Sequence, residues 1–121
     1  MKKLFFLVLL ISNFFGYTQY TSIPGVNFEK ALIDLGIDSG TIDGKVLKAN
    51  VSGIVSLVVT EKDITDLTGL KDFSSLKQLN CVKNKFTSLD LTLNTALTYL
   101  YCDSNQIISL DVTKNPALTN L

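Results

Sequence analysis

Between Leu76 and Leu110 one pattern is written twice. Leu76, Leu79, Cys81, Asn84, Phe86 and Leu89 recur as Leu97, Leu100, Cys102, Asn105, Ile107 and Leu110, each displaced by 21 residues. A fixed period of this length makes each copy one structural unit, too small to bury its own apolar face, so copies must stack on one another. Upstream, Ile54, Leu57, Val59, Ile64 and Leu67 fit the same template at a spacing of 22, with Lys62 in the asparagine position and one extra residue within 68–73. Downstream, Leu118 and Leu121 begin a further copy. The array expected over 54–121 is three copies and a truncated fourth.

Each copy predicts one short strand, over 78–82 and 99–103, with successive strands parallel and about 4.8 Å apart. Side chains alternate along a strand, so Leu79, Cys81, Leu100 and Cys102 face a core. Asn84 and Asn105 stand where the chain leaves the strand, and their amides suit backbone groups that the turn would otherwise bury unpaired. Phe86, Leu89 and Leu91, then Ile107, Leu110 and Val112, close the core on the return side.

Ahead of the array, Asn27 precedes Phe28, Ala31, Leu32 and Leu35, the i, i+3, i+4, i+7 spacing of an amphipathic helix over 27–35. Asn27 suits its N-cap, Glu29 its positive end and Gly36 the left-handed residue after its last turn. A polar linker with a turn at Pro24-Gly25 leads in. Over 37–50, Val46, Leu47 and Ala49 anchor a second helical turn or a short strand. Asp34, Asp38 and Asp43 invite a calcium reading, but their spacings of 4 and 5 do not match a calcium loop, and turn aspartates are the preferred account.

The repeat L-x-x-L-x-C-x-x-N-x-Φ-x-x-L, with Φ apolar, resembles the signature of the leucine-rich repeat family, cysteine replacing one leucine in two copies. The first copy, with Ile64-Thr65-Asp66-Leu67-Thr68-Gly69-Leu70, is similar to the short repeats of internalin-type bacterial surface proteins, and residues 27–36 to the helical cap preceding such repeats. The resemblance implies an α/β solenoid, a leucine-rich repeat coil with short parallel strands and a small amino-terminal helical cap. It also implies partner binding on the concave face.

Met1-Lys2-Lys3 followed by the apolar run Leu4 to Ile11 reads as a cleaved secretory signal over 1–18, with Gly16 and Thr18 as the small residues before the cut. The run is too short to span a bilayer, which needs about 20 residues. The organisation expected is a signal peptide (1–18), a linker and amino-terminal cap (19–53) and repeats (54–121), in a secreted or outer-cell-surface bacterial protein with no stable membrane span once the leader is removed.

Composition narrows the function classes. Without Lys2 and Lys3, 9 lysines face 11 carboxylates, and the chain has no Arg, Trp or His. Nucleic-acid binding lacks its positive field and guanidinium forks. Missing His removes the commonest general base and transition-metal ligand. No enzyme, catalytic residue, metal or cofactor is expected, and Asp63 and Asp66 read as solvated surface. Cys81 and Cys102 are close enough in an in-register pair for a disulfide, but side-by-side projection favours free buried thiols.

The outward strand positions read Ser56, Val58, Thr60; Gln78, Asn80, Val82; Tyr99, Tyr101, Asp103; and Asn120. Of these, Gln78, Asn80, Tyr99, Tyr101 and Asp103 are the candidate ligand-binding set, because flat aromatic area with polar edges suits a protein or a glycan. The competing account is that Tyr favours strands for its packing alone. The expected function is therefore protein or glycan recognition, with a structural spacer or repeat fragment of a longer surface protein as the alternative. End-to-end self-association through the uncapped carboxy-terminal repeat is a further expectation.

Overall fold

The structure is a computed structural model and describes residues 18–121. The expected leader falls outside these residues except for Thr18. Among the described residues, no helix is long and apolar enough to cross a membrane.

The amino-terminal segment forms strand β1 (Tyr20–Ser22), helix α1 (Val26–Asp34), strand β2 (Lys45–Leu47) and helix α2 (Lys48–Val51). Strands β1 and β2 pair antiparallel with Thr21 opposite Val46, and those two side chains, each 1% exposed, form the buried side of the ribbon. The stretch read as a linker is thus partly a strand. The 37–50 region supplies both a strand and a helical turn, where either was expected.

Helix α1 buries Phe28, Ala31 and Leu32, the face its spacing predicts. Leu35 departs from that face and is exposed, because the helix ends at it. Gly36 (φ 76°) donates to Ile33 O and Ile37 to Leu32 O, both at 2.9 Å, closing the last turn through a left-handed residue. The N-cap is Gly25, not Asn27, whose amide donates instead to Asp63 O at 2.9 Å. Glu29 does not sit at an open helix end either. It is wholly buried, and its two oxygens accept from Asp43 N (3.0 Å) and Gly44 N (2.8 Å), pinning the following loop to the helix.

The repeats contribute β3 (Ser56–Val58), β4 (Gln78–Asn80) and β5 (Tyr99–Tyr101), a parallel sheet in that order. These strands are shorter than expected, and Asn120 extends the sheet by a single bridge to Tyr99. Register places Leu57 beside Leu79 and Leu79 beside Leu100, all fully buried. At about 1.5–3 kcal/mol for each such side chain, this leucine row is a main stabiliser of the stack. Val59 and Cys81, Ile64 and Phe86, and Leu76 and Leu97 extend the core copy by copy, and Leu67 and Leu91 are buried with them. Phe28 of α1 stacks on Phe73 with ring centroids 6.2 Å apart, so the helix covers the first copy. Burial thins in the third copy, where Cys102, Ile107 and Leu110 are only partly covered.

Within the copies the one helical element is a 3-10 turn, Leu70–Asp72, formed where the first copy carries its extra residue. The amino-terminal ribbon docks on this turn. Thr21 Oγ1 donates to Asp72 Oδ2 at 2.7 Å, and Gly69 (φ 108°) lies so close to Ile23 and to Ser22 O that a Cβ there would clash.

Candidate binding surface

The return segments lack regular elements, so side chains close their backbone. Asn84, 6% exposed, donates from Nδ2 to Val59 O (2.8 Å) and Cys81 O (3.0 Å), and its Oδ1 accepts from Lys62 N (3.0 Å) and Ile64 N (3.1 Å). Asn105 donates to Cys81 O and Cys102 O, while its Oδ1 finds no partner. A second asparagine series, not singled out from sequence, does the same on the far side. Asn94 reaches Leu70 O and Phe73 O, and Asn115 reaches Leu91 O and Asn94 O. Each belongs to an Asp-x-Thr-x-Asn run, 90–94 and 111–115, whose 21-residue offset was the available signal. In each run, and at Asp66 with Thr68, the aspartate accepts from the threonine N and Oγ1. These bonds hold the Asp90 and Asp111 carboxyls below the usual carboxylate range. The largest contribution comes from the Thr92 backbone at Asp90 and from the Thr113 hydroxyl at Asp111.

Both cysteines are free thiols. Cys81 is buried and its pKa is pushed up to about 12, first by desolvation and then by neighbouring Cys102. Cys102 departs from the expected burial because it lies in the thinner third copy. Its pKa is raised too, by burial and then by the charge of Asp103.

With the framework accounted for, the outer face of the sheet is what remains. Register sets Ser56, Gln78 and Tyr99 in one row, with Asn120 bridged beyond, and Val58, Asn80 and Tyr101 in the next. The predicted set is therefore brought together. Tyr99 (44% exposed) lies between Gln78 and Asn120, and Tyr101 lies beside Asn80. Asn80 is partly committed to structure, since its Oδ1 accepts from Thr60 Oγ1 (3.2 Å) and Val82 N (3.3 Å). Asp103 sits beyond the strand end with its side chain exposed, and its carbonyl accepts from Lys83 N at 3.0 Å. It borders the tyrosine row and is not part of it.

Charges gather in the turn beneath these rows and pair across copies, Lys83 with Glu61 at 3.2 Å and Lys85 with Asp63 at 3.1 Å. All four side chains are well exposed, so each pair contributes little to stability. Elsewhere, Glu29, Asp38 and Asp43 bring carboxylate oxygens within 4.8 Å of one another. Asp34, grouped with the latter two from sequence, is exposed and outside this cluster, and both oxygens of Glu29 are taken by backbone. A hollow of about 570 Å³ opens at the last turn, lined by Tyr101 and Asp103 and by core-type side chains such as Cys102, Ile107 and Leu110.

Short parallel strands in register, one per copy of a leucine-based repeat, with asparagines closing each turn, define a leucine-rich-repeat fold. Solved structures agree. The functional domain of InlJ from Listeria monocytogenes, which includes a cysteine ladder, is 35% identical over 86% of this chain with a TM-score of 0.76. The internalin InlF of Listeria monocytogenes is 20% identical over 82% of it with a TM-score of 0.70. The chain spans 24% and 29% of the lengths of these two internalin structures. No family model and no curated protein sequence matches it.

Proposed function

We propose that this chain is a non-catalytic bacterial recognition module, exported by its leader, that binds a protein or glycan through the outer face of β3, β4 and β5. In this reading the copies wind as a coil, that face is concave, and the segment before the repeats is its amino-terminal cap. One observation carries the proposal. The inward and turn positions repeat from copy to copy, as in Leu57, Leu79 and Leu100 or Asn84 and Asn105, whereas outward positions at equivalent places read Ser56, Gln78, Tyr99 and Asn120. Stacking dictates the first group and leaves the second free, so the second is where a ligand leaves its mark. Likeness to the functional domain of InlJ supports the same reading, and the cysteines at 81 and 102 occupy adjacent copies as a ladder would.

A spacer within a longer surface protein is the second reading, favoured by the quarter-length match to the internalin structures. Biolayer interferometry of the full chain against purified extracellular proteins and glycans separates the two. Recognition through the sheet requires that Tyr99→Ala/Tyr101→Ala abolish a binding signal that Lys71→Ala, on the 3-10 turn, leaves intact. Binding indifferent to the tyrosines refutes the site, and no binding at all favours the spacer.

A further inference from the structure

Cys81 and Cys102 lie one position beyond β4 and β5, where the register that sets Asn80 beside Tyr101 carries on to set one cysteine beside the other. The same row begins with the buried Val59, so packing alone accepts valine at this position. The Cys81 sulfur reaches across the sheet and donates to Tyr101 O at 3.6 Å, the carbonyl that directly precedes Cys102 in the chain. The two thiols also sense each other, since Cys102 adds to the rise in the Cys81 pKa.

What two such thiols can do follows from their spacing. A disulfide needs sulfurs about 2.05 Å apart, which side chains projecting side by side from strands about 4.8 Å apart do not supply. Thiolate bonds to the d10 ion Zn2+ run about 2.3 Å, so a d10 ion held in line between two thiolates sets their sulfurs about 4.6 Å apart. That is close to the strand spacing. Each Cβ–Sγ bond then stands roughly square to the sulfur–metal axis, near the ordinary bent angle at a metal-bound thiolate.

The number of ligands selects the ion. Among the described residues, metal-sized clusters of three or more His, Cys, Asp or Glu side chains are limited to Glu29, Asp38 and Asp43, so no third such ligand joins the two thiols. Structural zinc takes four ligands and calcium and magnesium take oxygens, and none of them is served by two sulfurs. Soft sulfur ligands select copper(I), a d10 ion that is stable with two of them and needs no imidazole. The absence of histidine therefore leaves this site intact.

We infer that Cys81 and Cys102 together bind one copper(I) ion as a linear dithiolate. Both thiol protons leave to solvent, two sulfur–copper bonds form and the copper stays monovalent, so the site carries one net negative charge. The inference goes beyond the recognition reading and stands independently of it.

The test is an anaerobic titration of the reduced full chain with copper(I) in the presence of bathocuproine disulfonate, which competes for the ion and reports its own share by colour. The chain should withdraw one copper(I) per molecule, release two protons per ion into a weakly buffered solution, and keep its mass in light scattering. Cys81→Val and Cys102→Val copy Val59 of the same row, and a thermal melt checks that each variant folds. Loss of even an outer-shell partner weakens metal binding about 10–100-fold, so loss of one of two direct ligands should weaken it at least about hundredfold. Failure to withdraw copper(I) from the competitor overturns the site. Binding that survives either substitution, or that joins two chains through one ion, overturns it as well.

Discussion

Replacing Asn84 by alanine isolates what the turn asparagines contribute. In the native protein Asn84 serves Val59 O, Cys81 O, Lys62 N and Ile64 N. Cys81 O keeps a second donor in Asn105 Nδ2, so the truncation orphans three groups, and of these Lys62 lies in an exposed turn where water substitutes. Val59 and Ile64 are fully buried. At about 1–3 kcal/mol for each stranded buried group, and somewhat less for Lys62 N, the variant loses roughly 3–6 kcal/mol. Asn105→Ala strands only Cys102 O, in a half-covered copy, and its own Oδ1 had no partner to lose, so its cost is about 0.5–1.5 kcal/mol. Urea unfolding of the full chain followed by far-UV circular dichroism measures both, with ΔΔG from the shift in midpoint at common slope. Equal costs for the two variants, or less than about 1 kcal/mol for Asn84→Ala, would refute the account of a backbone closed by side-chain amides.

Three further outcomes follow from the same geometry. Gly69→Ala meets Ser22 O at 2.7 Å from the new Cβ in a left-handed backbone, and the same urea assay should show a loss of at least about 2 kcal/mol. In native protein at pH 8, mass-spectrometric iodoacetamide labelling should modify Cys102 well before Cys81, whose thiol ionises only near pH 12. Equal rates would contradict the burial of Cys81. The Asp90 and Asp111 carboxyls should titrate by NMR below the ordinary aspartate value. A folded pKa below the unfolded one means stability that is present above the unfolded value and lost as pH falls through the folded one. Thr113→Ala should raise the Asp111 midpoint by removing its largest influence, whereas Thr92→Ala leaves the largest influence on Asp90, the Thr92 backbone bond, in place.

The parts of this fold legible in the sequence are those written as periodicity. The 21-residue offset gives the strand register that pairs Leu79 with Leu100, the core row and the turn role of Asn84. The 3.6-residue spacing gives the buried face of α1. What escaped reading depends on contacts between segments far apart in the chain. Strand β1 has only three residues, and Thr21 is buried because it meets Val46 and Asp72. Glu29 looks like a helix-end acid by local rules, but the loop returning at Asp43 and Gly44 turns it into an internal clamp. Asn27 has an N-cap composition and is claimed by Asp63 O. Of the candidate surface, alternation along the strands suffices to place Gln78, Asn80, Tyr99 and Tyr101 on one face. The engagement of the Asn80 oxygen by Thr60 and Val82 was not readable, since it needs the turn geometry.

Lys62, the residue that breaks the asparagine pattern, follows from the direction in which these amides reach. Asn84 reaches back to Val59, Lys62 and Ile64 in the copy before it, Asn105 to Cys81, Asn94 to Leu70 and Phe73, and Asn115 to Leu91. Each asparagine thus closes the preceding copy, and Asn84 and Asn105 also steady their own turns through Cys81 O and Cys102 O. An asparagine at 62 would need a preceding repeat to serve, and what lies before it is the α1 and α2 segment, already joined to the first copy through the Phe28–Phe73 stack and the Thr21–Asp72 bond. The carbonyl it could reach in its own turn, Val59 O, already has a donor in Asn84 Nδ2, so a second bond there would relieve no unpaired group. Lys62→Asn should therefore change stability by no more than about 0.5 kcal/mol in the urea assay, the range of ordinary surface substitutions. A gain of about 2 kcal/mol would mean that the first copy lacks a bond it could make, and that the amides act within their own turns.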